Sequence, residues 1–141
     1  MTADESRASK LLESAVVGQR VTRVLIDYSV TLEFADRAPV CRLSFETPFS
    51  IVLRDEMETT VTPGQLEGVE ADVVRLFEAV VQSVRVDTGG RLVMELEGER
   101  RIDAGRHGAY ESWSFVDDDG RQVVCLPSGG LAIFGPRATL T

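Results

Sequence analysis

The chain has 141 residues, with 23 acidic and 15 basic side chains, a net charge of −8 and 43% hydrophobic residues. That length is typical of one domain and hides roughly 70% of the unfolded surface on folding, enough for a core without metal or disulfide. The acidic balance repels phosphate backbones, so no nucleic-acid partner is expected; it suits solubility or a basic protein partner equally well.

The chain begins with a polar stretch, and residues 1–9 are expected to be a disordered tail. Residues 10–141 are then read as a single domain. No apolar segment resembles a secretion signal or approaches the ~18 residues of a membrane span. No membrane partner is expected, and a cytoplasmic location follows. Cys41 and Cys125 stand far apart and are expected to be buried thiols rather than a bridge.

A weaker helix is predicted near 10–17, with Leu11, Leu12, Ala15 and Val16 on one side. Extended segments follow. Val21, Val24 and Ile26 lead to a turn at Asp27-Tyr28-Ser29. Leu32 and Phe34 alternate with Thr31 and Glu33, which reads as a half-buried strand. After a turn at Asp36 to Pro39, Cys41, Leu43 and Phe45 alternate with Arg42 and Ser44. Phe49 to Leu53 is a short apolar run.

The best helix signal covers 63–79. Thr62-Pro63-Gly64-Gln65 has the form of a capping box with proline in the first turn. Leu66, Val69, Val73, Leu76, Phe77 and Val80 recur at helical spacing. Strands return at Val81 to Val86, and Asp87-Thr88-Gly89-Gly90 marks a hairpin. Leu92, Met94 and Leu96 then alternate with Val93, Glu95 and Glu97. Strands starting at Arg101 and Tyr110, a turn at Asp117 to Gly120, a strand over 122–126, a turn at Pro127 to Gly130 and a last strand over 131–134 complete the chain.

A shift of sixty positions lays Val21, Val24, Asp27 and Leu32 on Val81, Val84, Asp87 and Leu92. This suggests an internal duplication, 10–60 and 70–134, although any two hairpins share alternating apolar residues. The expected fold class is α+β: antiparallel sheet built from two similar helix–hairpin–strand halves, with the helices covering one side. A mostly-β barrel or sandwich is the other architecture that fits.

Four phrases carry a resemblance. They are Val17-Gly18-Gln19-Arg20-Val21-Thr22, Glu46-Thr47-Pro48-Phe49, Tyr110-Glu111-Ser112-Trp113 and the run from Cys125 to Phe134. Together the chain resembles a family of small actinobacterial proteins of unknown function, over most of its length after about residue 10. The phrases are hairpin and core segments, and the resemblance implies no reaction and no catalytic residue.

Chemistry-bearing motifs are sparse. His107 is the only histidine, flanked by Gly105 and Gly108, and a minor hydrolase-type role for it needs an acid nearby, with Asp103 and Tyr110 as the neighbours in sequence. Cys41, Cys125 and His107 lack metal-ligand spacing, and Asp117 to Gly120 lacks the acidic twelfth position of a calcium loop, so no metal or other cofactor is expected. Three functions fit. The first is a non-catalytic protein-binding module, an immunity-like neutraliser of a basic partner being its concrete form, with Glu95, Glu97 and Glu99 as an acidic stripe along one strand. The second is a small-molecule binding or sensor domain with a pocket between the halves bordered by Phe49, Trp113 and Phe115. The third is an enzyme using His107. Self-association through an edge strand stays open.

Overall fold

A computed structural model describes residues 2–136. Met1 and residues 137–141, the extreme ends of the expected tail and domain, lie outside them. The protein is α+β, with eleven antiparallel strands in two sheets, one main helix and one short one among the described residues.

The main helix, α1, runs over Ala3–Val16 and therefore occupies most of the stretch expected to be disordered. Its start has a physical cause. Thr2 accepts the Glu5 N–H at 3.1 Å and the Glu5 carboxylate accepts the Thr2 N–H at 2.9 Å, a reciprocal cap. Ala8, Leu12 and Val16 then recur four apart and are fully buried.

The helix expected at 63–79 shrinks to α2, Glu70–Val74. Gly64 and Gly68 have φ of +83° and +85°, a left-handed backbone that no helix interior can contain. Thr62 does not cap a helix; its carbonyl accepts the Gln65 N–H at 2.9 Å and closes a turn. The ranking of the two helices is thus the reverse of the sequence expectation, while the fold class stands.

The strands are β1 (Arg23–Ile26), β2 (Val30–Phe34), β3 (Cys41–Phe45), β4 (Phe49–Val52), β5 (Glu58–Val61), β6 (Val81–Asp87), β7 (Arg91–Leu96), β8 (Arg100–Ala104), β9 (Trp113–Asp117), β10 (Gln122–Cys125) and β11 (Leu131–Phe134). The first sheet has the order β1-β2-β3-β9-β10-β11 and the second β5-β4-β8-β7-β6. The first sheet therefore joins two three-strand meanders, β1-β2-β3 and β9-β10-β11, and the second joins the hairpin β4-β5 to the meander β6-β7-β8. Leu43 of β3 pairs with Phe115 of β9, and Ile51 of β4 with Ile102 of β8. An antiparallel bridge joins Arg20 to Val80, sixty residues on, where the two parts meet.

One core cluster draws on both sheets and both helices. In β2 all five residues are buried, including Thr31 and Glu33, which were expected to face solvent. Thr31 shares a hydrogen bond with Ser44 at 2.8 Å, and Glu33 accepts from Arg42 Nε at 3.0 Å, so both buried polar groups are answered.

The glycine pairs do more than turn hairpins. The 3₁₀ turns Thr88–Gly90 and Pro127–Gly129 cross so closely that a Cβ on Gly90 would lie 2.6 Å from the Gly129 carbonyl oxygen and 2.9 Å from Cys125 Sγ. Trp113 Nε1 donates to the Gly90 carbonyl at 2.8 Å and fixes the crossing from below.

Candidate functional site

The three glutamates expected to form one stripe do not share a strand face. β7 ends at Leu96, and Gly98 and Glu99, with φ of +80° and +58°, turn the chain. Only Glu95 lies in the strand, in register with Arg101 of β8. Glu97 accepts the Val80 N–H at 3.2 Å, and Glu99 pairs with Arg54 at 2.9 Å. Two-residue periodicity projects side chains to one side only while the strand continues. The hollow beside these residues is lined by Arg54, Arg100 and Arg101 as much as by Glu95 and Glu99.

Phe49, Trp113 and Phe115 are brought together in the core rather than around a pocket. They are buried, Phe49 stacks on Phe45 with centroids 4.4 Å apart, and none of the three lines any of the hollows described here. Aromatic residues on the inward side of facing strands fill space that a ligand would otherwise need.

His107 and Asp103 are not partners. Asp103 sits on β8 and receives both Nε and Nη2 of Arg91, an interaction that holds its carboxyl below the usual range. His107 Nδ1 accepts the Ala109 N–H at 3.1 Å, its ring lies 5.4 Å from that of Tyr110, and its carbonyl accepts the Ser128 N–H. The imidazole thus organises the loop that leads to β9. Both thiols are free and buried; burial, reinforced by Asp117, pushes the Cys41 thiol up to about 11. No helix of the structure is long and apolar enough to cross a membrane, and among the described residues no three metal-ligating side chains converge.

A different surface stands out. β1 is an outer strand of the first sheet, and α2 lies beside it. Arg23, Val24 and Ile26 of the strand, with Val74 and Phe77 after it in the chain, line a shallow hollow of about 310 Å³. Ile26, Val74 and Phe77 are 48%, 57% and 49% exposed. Tyr28, in the following turn, is almost wholly exposed. Scattered exposed apolar residues are ordinary, but these gather around one hollow beside a sheet edge.

Acidic residues neighbour its lining residues in sequence. Glu67, Glu70 and Asp72 precede or lie on α2, Glu78 follows Phe77, and Asp27 follows Ile26. Asp27 accepts the backbone N–H and the hydroxyl of Ser29, which holds its carboxyl below the usual range and keeps it charged. Against these stand Arg23 and Arg75, while Arg20 is engaged by Asp36 and Glu78.

The sequence contained a signal for this face. Val73-Val74 and Leu76-Phe77 are adjacent apolar pairs, and neighbours on a helix point about 100° apart. One member of each must face away: Val73 and Leu76 are buried, and Val74 and Phe77 are not.

A family model described as a family of unknown function, DUF6188, matches residues 12–135. No curated protein and no solved structure matches the chain.

Proposed function

The chain belongs to the DUF6188 family, a family of unknown function, and we propose that it is a non-catalytic protein-binding module that docks a basic partner on the open side of β1. The observation that carries this reading is the exposed apolar group formed by Ile26 on an outer strand and Val74 and Phe77 beside it. The acidic residues that neighbour it in sequence, with a net charge of −8 for the whole chain, favour a cationic occupant and speed its approach. An immunity-like neutraliser is the specific form such a module takes when the partner is a basic toxin. A cytoplasmic setting belongs to the same reading, supported by two unpaired buried thiols. The repeated order of a helix followed by a three-strand meander, α1-β1-β2-β3 and α2-β6-β7-β8, supports a duplicated origin.

The test uses two synthetic amphipathic peptides with the same leucine pattern, one rich in lysine and one in glutamate. The basic peptide is expected to bind the intact protein with salt-sensitive affinity and to shift the amide resonances of Val24, Ile26, Val74 and Phe77. Phe77→Asp and Ile26→Asp should abolish that binding while leaving the fold intact, since both side chains are half exposed. Equal binding of the acidic peptide, or shifts centred elsewhere, overturns the reading. Dimerisation that Phe77→Asp disrupts also overturns it, because the face then belongs to a second copy.

A further inference from the structure

A second hollow, separate from the β1 face, is built from polar groups rather than apolar ones. The end of α1, the loop Arg37–Pro39, β3 and the turn between β9 and β10 enclose about 330 Å³, at the lower end of the range for small-ligand sites. Gln19 lines it and is 3% exposed. Its Nε2 donates to the Ala15 carbonyl at 2.6 Å, which fixes the amide, since the reversed orientation would set two carbonyl oxygens together. Its Oε1 is buried and has no partner. An acceptor in that condition is destabilising until a donor reaches it.

The charged groups of the wall are also incompletely matched. Asp117 is buried; its Oδ1 accepts the Asp119 and Arg121 N–H groups, both at 2.9 Å, but its Oδ2 has only Arg121 Nη1, at 3.5 Å. That distance is too long for a strong charge-assisted bond. Arg37 donates Nη2 to the Ser14 and Ala15 carbonyls at 2.8 and 3.2 Å. It has no carboxylate within ion-pair distance among the described residues, so its positive charge is uncompensated. The residues that line the hollow therefore include two buried acceptors in need of donors, Gln19 Oε1 and Asp117 Oδ2, and two guanidiniums with capacity for an anion.

A simple anion leaves Gln19 unanswered and meets the Asp117 charge. A simple cation answers Gln19 and Asp117 but meets two arginines. A molecule with an ammonium and a carboxylate a few ångströms apart satisfies both sets. Leu11 and Ala15 supply an apolar wall for what remains of it. We propose that this hollow binds a free α-amino acid with a small apolar side chain, its ammonium on Gln19 and Asp117 and its carboxylate on Arg37 and Arg121.

Titration of the full chain with L-alanine, L-valine and L-leucine, followed by amide resonances and by thermal unfolding, tests this. Acetate and ethylammonium, the two halves of the zwitterion, serve as controls. At least one amino acid should saturate, shift Gln19, Arg37 and Arg121, and bind at least tenfold more tightly than either half. Gln19→Leu should weaken binding tenfold or more. If that variant fails to fold through loss of its bond to Ala15, Arg37→Gln, at an exposed position, decides the matter by the same criterion. No saturable shift with any amino acid means that water fills the hollow, and equal binding of acetate means a plain anion site; either result overturns the proposal, as does unchanged binding by the variant that folds.

Discussion

Two outer strands of this protein, β6 and β1, occupy matching places in their sheets and are finished in opposite ways. β6 is closed by α1. Ser9 Oγ accepts the Val86 N–H at 2.8 Å and donates to the Val86 carbonyl at 3.3 Å, so a side chain takes the place of a neighbouring strand. Glu5 accepts the Gly89 N–H at 3.2 Å at the strand's end. Beside β1 lies only the five-residue α2, and no hydrogen bond among the described residues joins the two. The difference lies in the residues before each helix. Thr2 and Glu5 start α1 early, whereas Gly64 and Gly68 delay α2 until Glu70. An edge stays available to other molecules when the helix that would cover it is stopped by left-handed backbone.

The comparison breaks most severely at Leu12. It is fully buried, and Leu12→Ala should cost about 2–5 kcal/mol through the cavity left behind, measured by urea unfolding. Ser9→Ala tests the covered edge directly. It strips the Val86 N–H of its partner and should cost about 1–3 kcal/mol, with faster amide exchange at Val86 as the local sign. Thr2→Ala removes half of the cap and should cost about 0.5–2 kcal/mol, with fraying confined to the first turn of α1. On the open edge, Val74→Ala should change stability by less than about 0.5 kcal/mol, because little is buried there. A large effect at Val74 would mean that the two edges are equally closed.

Acid sharpens the same contrast. Glu5 has a lowered pKa, chiefly because it accepts the Thr2 N–H, with Gly89 adding to it. A carboxyl lowered in the folded state contributes stability that is present above its unfolded value, 4.5 here, and is lost as pH falls through the folded value. Unfolding midpoints should therefore drop on acidification below that point. Glu5→Gln should flatten the drop, which denaturant unfolding at a series of pH values would reveal.

Local chemistry made much of this legible from residues alone. Asp27-Tyr28-Ser29, Asp87 to Gly90, Asp117 to Gly120 and Pro127 to Gly130 all turn the chain between paired strands, because turn geometry is set by the residues that make the turn. The inward alternation of Cys41, Leu43 and Phe45 is also as expected. The helix at 63–79 failed because apolar spacing outvoted two glycines whose backbone sign is invisible in a periodicity. The early start of α1 was hidden because Glu5, a charged residue, is buried against Gly89, eighty-four positions away. The strand exchange was out of reach for a related reason: nothing near Cys41 says that its partner is Asp117. The exposed apolar face was half legible, through the doubled apolar pairs, and took shape only once β1 was seen to be an edge.

The exchange of strands between the two parts of the chain also sets a timetable. As the chain emerges during synthesis, β1, β2 and β3 can pair as soon as Phe45 is made, but the free side of β3 has to wait until Trp113 to Asp117 arrive. For some seventy residues of elongation an unpaired strand carrying Leu43 and Phe45 stands exposed, and late closure of this kind slows folding and invites association with other nascent chains. Truncation after β8 should thus leave a product that precipitates rather than a smaller stable protein.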